Sequence, residues 1–259
     1  MELLELLSPK NIVGFIIVVT RLSGMMVTAP LFSTYPIPPQ VKAWLVAFVA
    51  FIMYPLVSVN TSFVVPTSMP EMTLFLIKEF AVGALIGFLA SFLFVSVQMA
   101  GNLLAQQIGL AMSNMLDPAT NANVPVIGQF YMFMTTLIFL ALDAHQWLFA
   151  AVYQSFLKVP PGLEMPFSPI LVQQVLHLSS QMFTVSISIV LPIFCVLFVL
   201  EILIGVLAKM IPQMNIFMVA LPIKIYIGLV LMIMFLSPMF SYLSGLVETH
   251  MMTIMKMFM

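Results

Sequence analysis

Residues 72–109 read MTLFLIKEFAVGALIGFLASFLFVSVQMAGNLLAQQIG, with Lys78 and Glu79 the only ionisable side chains. One bilayer crossing takes roughly 20 apolar residues in a helix, so Met72–Ala100 already exceeds one crossing, and the pattern continues to Gly109. The apolar run is continuous, whereas an outer-membrane barrel would show short segments of alternating polarity. It reads as one long helix of an all-α integral membrane protein. Working outward, five further apolar blocks stand around it: Asn11–Ala29, Val41–Val59, a block from Val126 to Leu157 interrupted at Asp143-Ala144-His145, Val175–Met210 and Ile216–Val247. Proline-rich stretches separate several of them. Pro30–Pro39 is expected to be an extended turn, and Lys158–Gln174 a loop, because proline fixes φ and restricts the residue before it. Pro192 is expected to kink the fifth block. Residues Ile211–Asn215 would join the last two blocks into a hairpin, followed by a methionine-rich tail, Glu248–Met259.

Composition agrees. Of 259 residues, 63% are hydrophobic and 7% charged, against about 25% charged in soluble domains. A net charge of −1 supplies no field to recruit nucleic acid. The single cysteine, Cys195, excludes an intramolecular disulfide. The opening Met1-Glu2-Leu3-Leu4-Glu5 places acids where a cleavable signal needs a basic region, so the N-terminus is expected to stay on the mature protein. Lys10, Lys42, Lys158, Lys209 and Lys256 lie near different block ends and assign no side by the positive-inside rule.

Three patterns could carry function. Gly83, Gly87 and Ser91, then Gly101, Ala105 and Gly109, recur every four residues. Small residues at that spacing let a second helix approach closely, within the chain or from another subunit. Gln98, Asn102 and Gln106 form a polar stripe beside them, suited to lining an aqueous path or to hydrogen bonding across helices. Arg21, Lys78, Glu79, Glu201 and Lys224 are charges inside apolar blocks. Each needs a partner or a function, and inter-helix ion pairs are the plainer reading than a proton relay. Lys78 and Glu79 point about 100° apart on a helix and should not pair with each other. His145, His177 and His250 are scattered, no metal-ligand spacing or cofactor motif occurs, and no nucleophile joins Asp143 and His145. The chain therefore does not read as an enzyme. The triplet Asn60-Thr61-Ser62 fits a glycosylation sequon, a short and weak pattern. Methionine is abundant, with 24 residues; most suit core filling, but Met112 and Met115 sit in a polar loop, where a flexible thioether suits a soft seal.

Read in order, Arg21-Leu22-Ser23-Gly24 with Pro30 and Lys42, then Glu79, Gly83 and Gly87, Gly101 through Gly109 into Asp117-Pro118 and Pro125, Asp143-Ala144-His145, Glu201 with Gly205, Pro212-Gln213-Met214-Asn215-Ile216-Phe217, Pro222, Lys224 and Gly228 resemble the FliR family, the R subunits of the flagellar type III export gate. Where this chain has Ala144 and Lys209, that family often has glycine and arginine. The resemblance implies a P-subunit-like region over 1–174, followed by a Q-subunit-like helical hairpin and tail over 175–259. It implies assembly with FliP and FliQ, and with FlhB and FlhA, in the bacterial inner membrane within the flagellar basal body. Much of that assembly rises toward the periplasm, and it exports unfolded flagellar polypeptides without a cofactor. It also implies a plug loop inside the pore, which maps onto Leu110, Met112, Met115, Leu116, Asp117 and Pro118. The competing reading is a secondary transporter or small-solute channel using Arg21, Glu79 and Glu201 as coupling or selectivity charges.

Overall fold

The computed structural model describes residues 9–34, 36–60, 68–110, 126–161, 169–211 and 216–258. Every regular element among them is helical: α1 (Pro9–Thr28), α2 (Pro30–Ser33), α3 (Pro39–Asn60), α4 (Met69–Ile108), α5 (Val126–Ala141), α6 (Ala144–Lys158), α7 (Pro169–Met210) and α8 (Ile216–Phe258). The fold class is the one the hydropathy dictates. Helices α1, α3, α4, α7 and α8 are each long and apolar enough to cross a membrane. The bent pair α5 and α6, turned by 70° at its break, makes a sixth if counted as one span.

Local chemistry sets the helix ends. Four helices begin on proline, at Pro9, Pro30, Pro39 and Pro169, where the missing N–H is not needed and φ is already helical. Lys158, Lys209 and Lys256 fall in the last turns of α6, α7 and α8, where cations oppose the negative end of the helix dipole. Three expectations are corrected. Pro30 opens the short helix α2 instead of an extended turn. Helix α7 begins at Pro169, before the expected Val175, because proline that breaks a helix interior is tolerated at its first turn. The methionine-rich tail is the end of α8, which runs on to Phe258.

The chain forms two compact units. The first comprises Met1–Phe92, Leu140–Leu178 and Val247–Met259. Within it α1 packs on α3 and α6, around Ile17, Val18, Leu22, Met25, Leu148, Val152 and Phe156, all buried. The Phe15 and Tyr54 rings meet edge to face, and the Tyr54 hydroxyl donates to Asn11 Oδ1 at 3.0 Å. The tail joins this core: Met251, Ile254, Met257 and Phe258 are buried, Lys158 Nζ donates to the Met257 carbonyl at 3.0 Å, and His250 Nε2 lies 2.9 Å from the Leu89 carbonyl.

The second unit comprises Leu93–Phe139 and Ser179–Leu246. Phe94 and Phe139, both buried, pack with ring centroids 5.3 Å apart. Ser186 Oγ donates to the Ser96 carbonyl at 2.7 Å and ties α7 to α4. The rest of α7 and α8 in this unit is largely bare. Phe194, Phe198, Ile202, Leu203, Ile233 and Met234 are among many exposed apolar side chains there, a surface that needs lipid or protein to cover it.

Candidate functional site

In the first unit the small residues of α4 are where α1 crosses. A Cβ on Gly83 would run into the Arg21 carbonyl, one on Gly24 into the Phe80 carbonyl, and one on Gly87 into Thr28 and the Met25 carbonyl. The two backbones are in contact through missing side chains. Thr28 Oγ1 donates across the crossing to the Ala84 carbonyl at 2.9 Å. Ser91, the third member of the spacing, turns its hydroxyl to the Phe88 carbonyl of its own helix at 2.6 Å.

That close approach fixes the register of a buried charge. Arg21 is fully buried and Glu79 is 3% exposed. Arg21 Nε donates to Glu79 Oε2 at 2.8 Å, and the nearer terminal nitrogen lies 2.6 Å from the same oxygen. Nη1 donates to Ser155 Oγ at 3.0 Å, and Nη2, the nitrogen nearest Glu79, also donates to the Val159 carbonyl at 3.1 Å. The Phe156 ring lies 3.8 Å from the guanidinium carbon. One arginine thus holds three helices, α1, α4 and the end of α6. Only a planar multi-donor head can do this at once, which lysine cannot replace. Lys78, next to Glu79 in sequence, makes no ion pair among the described residues.

In the second unit the small-residue pattern meets a different helix. A Cβ on Gly101 would strike Gly128 of α5, and Asn102 Oδ1 occupies the place of a Cβ on Gly128. Asn102 Oδ1 is buried and has no hydrogen-bond partner among the described residues. Along the polar stripe, Gln98 and Asn102 are half-buried and Gln106 is exposed. Ala105 is buried. Gly109 does not extend the small-residue face, because α4 ends at Ile108. It takes φ +93°, with its N–H donating to the Gln106 carbonyl at 3.1 Å, and terminates the helix in a conformation that glycine adopts without strain. Leu221 lies close to Gly109, and Ile108 fills the space beside Gly228 of α8.

Beside that helix end is the second ion pair. Lys224 Nζ donates to Glu201 Oε1 at 2.8 Å, and Gln107 Nε2 reaches Glu201 Oε2 at 3.5 Å. The Lys224 side chain is 16% exposed and that of Glu201 54%. Glu201 therefore links α4, α7 and α8 at the base of the segment after Leu110. Leu110 is the last described residue there; Met112, Met115, Leu116, Asp117 and Pro118 lie outside the described residues.

Sequence reasoning missed the backbone at the α5–α6 corner. The left-handed residue is Asp143, at φ 53°, one position before Ala144, where the resemblance directed attention. A short polar side chain tolerates that region better than most. His145 Nε2 lies 3.9 Å from Asp143 Oδ1, and Ala144 is buried behind the corner. No group of metal-ligating side chains occurs among the described residues.

The sequence model of the family described as "Bacterial export proteins, family 1" matches residues 12–250. The chain belongs to that family. The match runs from the first turns of α1 into the last part of α8, so it covers both units and both ion pairs. The chain is similar to the Flagellar biosynthetic protein FliR of Bacillus subtilis (strain 168), 29% identical over 233 residues, 88% of this chain and 87% of that protein. It is similar to the protein of the same name from Escherichia coli (strain K12), 28% identical over 212 residues, 82% of this chain and 80% of the other. A third, from Aquifex aeolicus (strain VF5), is 26% identical over 216 residues, 83% and 81% of the two chains. The resemblance read from the Arg21, Glu79, Glu201 and Lys224 motifs is borne out by these matches.

Proposed function

We propose that this chain is an inner-membrane component of the bacterial flagellar protein-export apparatus, and that within it the chain helps wall a pore for unfolded polypeptides. The observation that carries the first part is the family match over residues 12–250, on a chain with five helices of membrane-spanning length. The competing reading as a secondary transporter would have Arg21, Glu79 and Glu201 act as coupling charges. It is disfavoured by their placement, since Arg21 and Glu79 are spent on each other and on Ser155 and Val159.

The finer reading takes 1–174 as the P-like part and 175–259 as the Q-like hairpin, with FliP, FliQ, FlhB and FlhA as partners. The exposed apolar faces of α7 and α8 supply surface for such neighbours. In this account the segment from Leu110 through Met112, Met115 and Leu116 to Asp117-Pro118 closes the resting pore. Apolar contacts made by leucine and methionine are weak singly and non-directional, so an arriving chain of any sequence displaces them. Three features support a loop held at its base: the glycine turn at Gly109, the Leu221 contact and the anchor of Gln107 on Glu201. The test is deletion of Leu110–Leu116. The complex is expected to assemble and the cells to leak small ions, read as a fall in membrane potential. An assembled deletion complex with an unchanged potential would remove the plug from the account.

A further inference from the structure

Three consecutive residues, Gln107, Ile108 and Gly109, make the end of α4, and the second unit holds each of them. Ile108 is fully buried. A Cβ built on Gly228 of α8 would lie 2.5 Å from Ile108 Cγ1, 2.9 Å from Cδ1 and 3.1 Å from Cγ2. The branched end of the isoleucine therefore occupies the place of the missing side chain. Gln107 Nε2 reaches Glu201 Oε2 of α7 at 3.5 Å, and Lys224 Nζ donates to Glu201 Oε1 at 2.8 Å, so the carboxylate has a donor on each oxygen. Leu221 Cδ1 lies 2.8 Å from where a Cβ on Gly109 would stand.

The shape of α8 permits one register. Leu221, Lys224 and Gly228 are three and four residues apart and share a helix face. Around Gly228 on that face stand Leu221, Lys224, Ile225, Leu231 and Met232, none of them exposed, and the glycine is the gap among them. A slide of α4 by one turn, about 5.4 Å, would set Ile108 against Lys224 or Met232 instead of that gap. The isoleucine cannot swing aside, because a β-branched side chain is stiff at χ1. A rotation of α4 would draw Gln107 off Glu201. The apolar notch thus fixes α4 along its axis and the polar clip fixes it about its axis. Packed contacts of this kind have discrete arrangements and do not deform continuously.

We propose that this junction is a fixed anchor: the end of α4 keeps its single register on α8 while a polypeptide passes, so that the ends of α4, α7 and α8 that meet there form one immobile piece of the export wall. The anchor rests on the export reading of the chain.

The test is a disulfide across the notch, Ile108→Cys with Gly228→Cys, in a Cys195→Ser background. The two Cβ atoms would stand between about 3 and 4 Å apart, the separation a disulfide needs, and the shorter side chain at 108 vacates the room that the new one at 228 requires. Flagellated cells are treated with a membrane-permeant oxidant, bond formation is scored as loss of reaction with maleimide-polyethylene glycol, and newly secreted flagellin is measured. Oxidised cells are expected to secrete at the rate of reduced cells and of the Cys195→Ser parent given the same oxidant. A block that appears only with the bond and is reversed by dithiothreitol overturns the proposal, since the end of α4 would then have to leave α8. Thiols that stay reactive after oxidation overturn it too, since the two residues would not touch in the assembled complex. Where the reduced cysteine pair does not secrete, alanines decide: Gly228→Ala is expected to lower secretion several-fold, and Ile108→Ala added to it to restore most of the loss. Secretion by Gly228→Ala equal to wild type, or no recovery in the double variant, contradicts the anchor. Each result is read beside a strain lacking the gene; flagellin secretion that survives the deletion is the failure of the export reading itself.

Discussion

Two ion pairs, Arg21 with Glu79 and Lys224 with Glu201, have unequal weight in this molecule. Arg21 and Glu79 are buried to 0% and 3% exposure. Removing either strands the other charge, which costs roughly 3–5 kcal/mol. Glu79→Gln is therefore expected to lower the unfolding midpoint of the purified complex sharply, and Arg21→Lys to fall between it and wild type, because lysine keeps the charge but not the fork to Ser155 and Val159. Equal stability of the Glu79→Gln and wild-type complexes would contradict the clamp. Glu201, with a side chain 54% exposed, is screened by solvent, and pairs of that kind contribute roughly 0–1 kcal/mol. Glu201→Gln should leave the midpoint almost unmoved and show its effect in loop behaviour instead, as faster proteolysis between Leu110 and Pro125. The sequence identified these charges, because an ionisable side chain inside an apolar run is anomalous on sight. It could not name Ser155, Phe156 or Val159 as partners of Arg21, since nothing in a linear chain marks residues so distant along it as neighbours.

Among the elements, the long helix α4 gave the clearest reading. Its apolar length and four-residue spacing of small residues announced a close crossing, and Gly83 and Gly87 meet α1 while Gly101 meets α5. Gly83→Ala would press a methyl group into the Arg21 backbone, and overpacking of that sort costs about 1–3 kcal/mol. Thermal unfolding of the complex measures it, as a midpoint lower than that of the wild type. Legibility failed at helix ends. Gly109 has the spacing of a packing residue and the φ of a terminator, and spacing alone does not separate the two. Pro169 reads as a breaker or as a first-turn residue depending on whether the residues after it continue a helix. The tail after Val247 stands beyond the last apolar block, yet it is helical, and Met251, Ile254, Met257 and Phe258 are buried in the first unit. Tertiary packing decides such segments over composition.

At the scale of the whole chain, an all-helical membrane architecture follows from hydropathy alone, and the family from motifs in order. Neither states which surfaces are covered by lipid and which by other proteins. The exposed apolar side chains of α7 and α8, among them Phe198, Ile202, Leu203 and Ile233, are compatible with either solvent. Membership in the export family makes neighbouring subunits the expected cover, at least in part. Purified alone, the chain should therefore aggregate, and co-expression with P and Q subunits should make it monodisperse by size-exclusion chromatography. A stable, monodisperse isolated chain would favour a self-sufficient transporter. The central claim, that these helices serve protein export, is reached most directly by deleting the gene in the flagellated bacterium that encodes this chain and measuring flagellin in the culture medium. Flagellin should vanish from the medium, accumulate or be degraded inside the cell, and return when the gene is supplied on a plasmid. Undiminished secretion of flagellin by the deletion strain would contradict the account.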